Sequence, residues 1–221
     1  MNWKIGSGAA LVLATGLIGF AHTKAGRPLL ALLGGCPVSL DNADPAAVER
    51  YRIEQLRTHA GTQPATAHPA LGFELGRTTR TDVERWAADR GAECEDKRNG
   101  SVLSCRSVIG ERTASGCAPH VSDLHLQFDA EGRLVAVDLF RSTPDAETAI
   151  AHLEHQSRDL DGRVGPASQK SGELDADYLS AAPFRRAARE YRYSDYLAKL
   201  SVMHYPGGGM RVREQYQWLP G

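Results

Sequence analysis

Polar and apolar positions follow two different periods along residues 71–221. In residues 80–90 and 146–160, apolar side chains recur three or four positions apart, which predicts two amphipathic helices. Each helical stretch is followed by segments in which apolar and polar residues alternate, as they do in strands with one buried face. We therefore predict an α+β fold, in which an antiparallel sheet has helices packed on one face.

The first helix and the strands after it have clear sequence boundaries. Thr79–Asp82 forms a capping box, and Gly91 ends the helix. Asn99–Gly100 predicts a two-residue hairpin turn, because both residues accept the positive φ that such a turn requires. A second hairpin is predicted in residues 124–140, with its turn at Asp129–Gly132.

The second half of the chain repeats this layout. Thr143–Pro144 opens a second helix, which Gly162 and Gly165 end. Three strand-like runs follow, at residues 189–193, 196–205 and 210–218. We predict two tandem units of helix followed by strands, residues 71–141 and 142–221.

Residues 1–22 are predicted to enter a membrane. Ile5–Ala21 contains no ionisable residue and follows Lys4, an order of charge and apolar residues that insertion machinery recognises. Its length falls between the roughly 7 to 15 apolar residues of a cleaved signal and the roughly 20 of a spanning helix. An uncleaved anchor and a cleaved signal both remain open. Both place the rest of the chain on the periplasmic, non-cytoplasmic side of the inner membrane.

Residues 23–70 are predicted to form a membrane-proximal segment that ends in a linker. Asp44–Pro45 has the pattern of an N-cap and a first helical position, so a short helix is expected to run from there to about His59. Residues 61–69, which contain two prolines, then favour a linker. The soluble α+β region is predicted for residues 71–221.

The cysteine spacing predicts one disulfide. The chain has no CxxC pair, which argues against a zinc ribbon or a thioredoxin-type site. Around a two-residue turn at Asn99–Gly100, Cys94 and Cys105 face each other, so we expect them to be bridged. Leu33–Cys36 loosely resembles the lipobox of bacterial lipoproteins, so its cysteine is acylated, free or disulfide-bonded. Cys117 could pair instead with Cys36 or with Cys105.

Composition and motifs give no sign of catalysis. The chain has 26 Lys and Arg against 27 Asp and Glu, a net charge of -1, which argues against nucleic acid as a partner. His152 and His155 flank Glu154 on a predicted helix, but HLEH matches no zinc-hydrolase spacing and lacks a third ligand. We predict no catalytic residue, no metal ligand and no cofactor.

Two short motifs carry a resemblance to a known family. Gly76–Val83, with the sequence GRTTRTDV, and Phe128–Leu134, with a glycine at its turn, resemble the SmpA/OmlA (BamE-like) lipoprotein family. The tandem arrangement is similar to that of the β-lactamase inhibitor proteins. The resemblance covers residues 71–140; the family's Gly-Pro is absent at Gly91 and present at Gly165–Pro166. It implies a periplasmic protein that binds other proteins and carries no catalytic residues.

Two functions from different classes follow as hypotheses. The first is a membrane-tethered or exported cell-envelope protein that acts as a protein-binding or assembly module without catalysis. The alternative is an envelope hydrolase whose site is assembled from scattered residues. A deep pocket that holds a histidine and a carboxylate would favour the enzyme, and a broad exposed apolar or aromatic face would favour the binding module.

The C-terminal hairpin offers a candidate partner surface. Residues 196–204 and 210–218 each have a mostly apolar face, interrupted in the second strand by Glu214. Burying both faces together requires an odd number of connecting residues or a glycine bulge, because a one-residue slip inverts every side chain. The opposite face would carry Lys199, Arg211 and Arg213, near the tyrosines of the preceding strand. We predict a partner surface there, with a solvated polar face as the alternative.

Overall fold

The computed structural model describes residues 44–108, 112–113, 116–117, 121–207 and 209–221. The chain divides into two compact units, Met1–Ala43 and Asp44–Gly221, and all described residues belong to the second. The predicted membrane segment and Cys36 lie outside the described residues. Among the described residues, no helix is both long enough and apolar enough to span a bilayer.

The described unit combines four helices with a large antiparallel sheet, which confirms the predicted mixture of helix and antiparallel strands. The helices are α1 (Pro45–Arg57), α2 (Arg80–Asp89), α3 (Ala146–Val164) and α4 (Ala176–Ser180). The sheet strands are β3 (Glu93–Lys97), β4 (Val102–Val108), β7 (Val121–Phe128), β8 (Leu134–Thr143), β9 (Gln169–Ser171), β10 (Arg186–Arg192), β11 (Tyr196–His204) and β12 (Met210–Trp218). Two short separate hairpins pair β1 (Pro69–Ala70) with β2 (Phe73–Glu74) and β5 (Arg112–Thr113) with β6 (Gly116–Cys117).

The main sheet has the strand order β3-β4-β7-β8-β12-β11-β10-β9, and every neighbouring pair is antiparallel. Its first four strands follow α2 in sequence, and the other four follow α3. The two sets meet where β8 pairs with β12, from Met210 opposite Thr143 to Gln217 opposite Ala136. The last strand in sequence therefore lies in the middle of the sheet.

Two helix starts agree with the sequence, and one differs. The Asp44 carboxylate accepts a hydrogen bond from the amide of Ala46 (3.1 Å) at the start of α1, and the predicted capping box Thr79–Asp82 is formed at α2. The predicted start of α3 at Thr143 is wrong. Thr143 is a buried end of β8, and Asp145 caps the helix by accepting from the amide of Thr148 (2.7 Å).

The first hairpin has the predicted register but a different turn. Cys94 lies opposite Cys105 and Lys97 opposite Val102, the pairing that we expected. Arg98 and Asn99, rather than Asn99 and Gly100, hold the central turn positions: both have positive φ, and the amide of Gly100 donates to the carbonyl of Lys97 (3.1 Å). The cysteines are joined by a disulfide with a Cα–Cα distance of 4.0 Å.

The helix-covered face of the sheet forms the core. Helix α3 contacts β8, β11 and β12, and its buried side chains include Ala149, Leu153 and Leu160. They join one hydrophobic cluster with residues such as Leu139 of β8 and Leu200 of β11. Burial of one such leucine contributes roughly 1.5 to 3 kcal/mol, so this face supplies much of the folding free energy.

The connection between β11 and β12 has an odd length, one of the two arrangements that the sequence allowed for burying both apolar faces together. His204 lies opposite Met210, so five residues, Tyr205–Gly209, join the strands. Val202 and Val212 are consequently cross-strand neighbours on one face, and both are buried. The apolar faces of the two strands are buried together, as their alternation required.

Candidate binding surface

The face of the sheet opposite α3 is largely polar, and we call it the open face. Leu139, Glu214 and Leu200 lie side by side on the helix-covered face of β8, β12 and β11. Because side chains alternate along a strand, the residues before and after these three point to the open face. On β12 these are Arg213 and Gln215, both partly exposed.

Helix α1 lies across one end of the open face. The Gln127 amide of β7 donates to Glu49 (3.3 Å), and the Arg52 guanidinium donates to the Gln217 side chain (2.8 Å) and to the Trp218 carbonyl (3.1 Å). Gln127 and Gln217 belong to one row across the strands, since both are register partners of Ala136. The prediction of helices on one face holds for α3, whereas α1 contacts the opposite face.

The predicted surface residues Lys199, Arg211 and Arg213 all lie on the open face, but two of them are held in ion pairs. The Lys199 ammonium lies 2.7 Å from Glu190. Arg213 donates two hydrogen bonds to Asp138 (2.9 and 2.6 Å), and this pairing raises the pKa of the guanidinium. Arg211 forms no ion pair with the described residues. Of the three, it is the one whose charge faces solvent unneutralised.

Arg211 belongs to a row of residues at the end of the open face that α1 leaves uncovered. Met203 of β11 lies opposite Arg211 of β12 and opposite Arg186 of β10. Both arginines are exposed, and Arg186 also forms no ion pair with the described residues. Two cations thus flank a partly exposed methionine across three adjacent strands.

Two exposed aromatic rings adjoin this row. Phe184 is 64% exposed and Tyr205 is 41% exposed, and their ring centroids lie 6.4 Å apart. The Arg211 guanidinium lies 5.2 Å from the centre of the Tyr205 ring, within the range of a cation–π contact. We call Phe184, Arg186, Met203, Tyr205 and Arg211 together the arginine–aromatic patch.

The charges of the C-terminal region leave the patch positive. Residues 183–221 contain seven basic and three acidic side chains. All three acidic side chains contact residues outside the patch. Glu190 pairs with Arg192 and Lys199, Asp195 with His68, and Glu214 with Arg141 and His152. No acidic side chain of this region therefore neutralises the patch.

The expectation that tyrosines of the preceding strand would share this surface is wrong. Tyr191 of β10 is buried on the helix-covered face, where its hydroxyl donates to the Asp161 carboxylate (2.8 Å). Burial raises the pKa of this phenol. Glu190 and Arg192 occupy the open face instead, because alternation in β10 places its even-numbered residues there.

A groove of about 400 Å³ lies between the C-terminal end of α1 and the open face. His59 and Glu190 line it, the combination that an enzyme site would need. Both carboxylate oxygens of Glu190 are engaged, one by Lys199 at 2.7 Å and the other by Arg192. None of the described residues that line the groove is a serine, threonine or cysteine. In this arrangement Glu190 is an ion-pair partner and not a free general base.

The helix-covered face contains a buried polar cluster that the sequence did not indicate. The Glu214 carboxylate is 1% exposed and accepts hydrogen bonds from Arg141 (2.9 Å) and from the Tyr216 hydroxyl (2.8 Å). The Nε2 atom of His152 lies 2.8 Å from the same carboxylate. Burial alone would raise the pKa of Glu214, but His152 and Arg141 outweigh it and hold the pKa at about 2.

The two histidines of HLEH point to different places. His152 contacts Glu214 in the core, whereas His155 is exposed on α3. No group of three or more potential metal ligands occurs among the described residues. The alternation of β12 and the helical period of α3 could have placed Glu214 and His152 in the core, but their mutual contact depends on how α3 crosses the sheet.

Comparison with known proteins gives no relative: the chain matches no family model, no curated protein and no solved structure. The resemblance to the BamE-like lipoproteins and to the β-lactamase inhibitor proteins stays a prediction.

Proposed function

We propose that this chain is a membrane-tethered or exported cell-envelope protein that acts as a protein-binding or assembly module without catalysis. One observation carries the proposal. Helix α1 covers one end of the open face. The other end presents two exposed aromatic rings beside Arg186 and Arg211, which form no ion pair with any described residue. Arginine and tyrosine are favoured anchors of protein interfaces, and exposed apolar groups that adjoin one another are typical of interaction sites.

The arginine–aromatic patch is the proposed contact surface, and its chemistry selects an acidic partner protein. Arg213 and Lys199 contribute to this surface indirectly, because their ion pairs with Asp138 and Glu190 link neighbouring strands of the open face. We interpret the two sets of four strands as tandem units, joined at β8 and β12 so that their open sides form one continuous face.

Charge reversal at the patch tests the proposal. The double variant Arg186→Glu with Arg211→Glu should keep its fold, because both side chains are exposed and have no ion pair with the described residues. It should lose capture of envelope partners in crosslinking of intact envelopes, since two anchor cations become repulsive. Arg213 is not part of this variant: a glutamate there would face Asp138 and disturb the sheet.

The matched control reverses two arginines away from the patch. Arg50→Glu with Arg158→Glu makes the same charge change on exposed positions of α1 and α3. This control should capture partners like the unchanged protein. Equal capture by all three proteins would show that the patch is a solvated polar surface and would refute the proposed site.

A further inference from the structure

The patch fixes the spacing between its two cations. Arg186 and Arg211 each pair with Met203 across the sheet, so one strand separates them. Cα atoms of paired antiparallel residues lie roughly 4.5 to 5.5 Å apart, which places the two arginine Cα atoms roughly 10 Å apart. An arginine guanidinium binds a carboxylate through two parallel hydrogen bonds. The row therefore matches a ligand with two carboxylates at a similar separation.

The aromatic pair adds an apolar subsite to one side of the row. Phe184 has a left-handed backbone, with φ of 64°, which costs a non-glycine residue roughly 1 to 2 kcal/mol. Its amide is fixed by donation to the carbonyl of His204 (2.8 Å), and its ring rests against Tyr205. A strained loop thus holds an apolar ring in solvent, where a ligand side chain can cover it.

We propose that the patch binds an extended acidic segment of a partner protein, in which two carboxylates three positions apart pair with Arg186 and Arg211. A neighbouring apolar side chain of the segment packs on Phe184 and Tyr205. The proposal rests on the proposed function, because it names the part of the partner that the patch recognises.

The backbone form of the segment follows from the spacing. A polyproline II helix rises roughly 3.1 Å per residue with three residues per turn, so positions i and i+3 face the same side roughly 9 Å apart. In a β-strand, residues on one side are roughly 7 or 13 Å apart, a poorer match. Aromatic-lined surfaces also favour polyproline II ligands, which lose little entropy on binding.

The fixed spacing of the two arginines favours a protein segment over a membrane surface as the occupant of the patch. Arg186 and Arg211 are held one strand apart, on either side of Met203. A protein segment can present two carboxylates at a matching fixed separation, whereas the headgroups of a fluid lipid surface have no fixed spacing.

Peptide binding to the full chain tests the inference. The protein is placed in nanodiscs of neutral phosphatidylcholine, and fluorescein-labelled peptides that contain Asp-Pro-Ala-Asp-Leu are titrated by fluorescence anisotropy. We expect this peptide to bind at least about tenfold more tightly than the same peptide with both Asp replaced by Asn, because two charge-assisted pairs are lost. A peptide with the two Asp adjacent should bind more weakly than the spaced one.

Peptide binding to protein variants is the second test of the inference. Arg186→Glu with Arg211→Glu should weaken binding of the acidic peptide by about tenfold or more, and Arg50→Glu with Arg158→Glu should leave it unchanged. Equal affinity for the Asp and Asn peptides would overturn the proposal, and this comparison does not depend on any variant folding.

The outcomes separate this inference from the proposed function. Patch-dependent capture of envelope proteins without peptide binding would leave the proposed function standing and reject the acidic segment. If the patch is needed for neither capture of envelope proteins nor peptide binding, the proposed function and the acidic segment are both rejected. Binding to phosphatidylglycerol vesicles in place of the acidic peptide would overturn the inference in favour of a membrane surface.

Discussion

Glu214 shows how a single residue can be misjudged from its sequence position. On β12 it interrupts an otherwise apolar face, yet it is as buried as its neighbours Val212 and Tyr216. Arg141 of β8 and His152 of α3 make this burial tolerable, because both lie within 3 Å of the carboxylate and come from two other elements. Because the partners come from distant parts of the chain, the spacing of residues in β12 alone cannot reveal them.

The lowered pKa of Glu214 makes the free energy of unfolding depend on pH. The folded protein holds this pKa at about 2, below the ordinary 4.5, so the charged carboxylate contributes about 3 kcal/mol to the free energy of unfolding. That contribution is complete above about pH 5 and is lost as the pH falls towards 2. Urea unfolding of residues 44–221, followed by circular dichroism from pH 7 to pH 2, should show this loss.

Substitution at the same residue provides the control. Glu214→Gln should lower the free energy of unfolding at pH 7 by about 3 kcal/mol, since the buried Arg141 guanidinium loses its ion pair with this carboxylate. The free energy of unfolding of this variant should also change less with pH below pH 5 than that of the unchanged protein. Glu173→Gln, at an exposed position, should behave like the unchanged protein. An unchanged acid profile in Glu214→Gln would show that other carboxylates dominate.

Among the elements, those with strong local signals were predictable. The capping box of α2 and the odd-length connection between β11 and β12 follow from alternation and local hydrogen bonding, and both are present. Strand β9 and helix α4 were missed, because each is five residues or shorter and carries little periodicity. The start of α3 was misplaced because Thr143 and Asp145 are both residue types that can cap a helix. Thr143 pairs with Met210 in the sheet and is therefore part of β8.

The disulfide between β3 and β4 should stabilise an exposed edge of the sheet. It links residues 11 positions apart, and restricting such a loop in the unfolded chain contributes about 3 kcal/mol. Cys94→Ser with Cys105→Ser should lower the free energy of unfolding by about this amount in urea titrations. A reductant should destabilise the unchanged protein similarly and leave the double variant unaffected. Recovery of Cys105 linked to Cys117 in unreduced peptide maps would contradict the pairing.

At the scale of the whole molecule, the sequence predicted the class of fold but not the arrangement of its parts. Strand order could not be predicted, because the pairing of β8 with β12 joins residues about 70 to 80 positions apart and has no local signature. The position of α1 on the open face was also missed, since it depends on single polar contacts such as that of Arg52 with Gln217. Lys199, Arg211 and Arg213 share one face, as predicted, but the ion pairs of Lys199 with Glu190 and of Arg213 with Asp138 were not predicted.

Topology can be tested on the whole chain. The uncharged stretch Ile5–Ala21 after Lys4 predicts that everything beyond it lies outside the cytoplasm. A reporter that works only in the periplasm, fused after residue 40, should be active, and one that works only in the cytoplasm should be silent. The reverse result would contradict the proposed envelope location. Replacing Leu11 and Leu13 by arginine should abolish export and serves as the control.

The central position of β12 dictates the order in which the molecule can be completed during synthesis. Until Met210–Trp218 has emerged, β8 presents an unpaired edge, and β9 to β11 have no partner in the first half of the sheet. Residues Leu134–Val137 on that edge are all apolar, so the unfinished chain offers a template for pairing with other chains. The β8 edge of a nascent chain is thus open to pairing with other chains until β12 inserts between β8 and β11 and joins the two sets of strands.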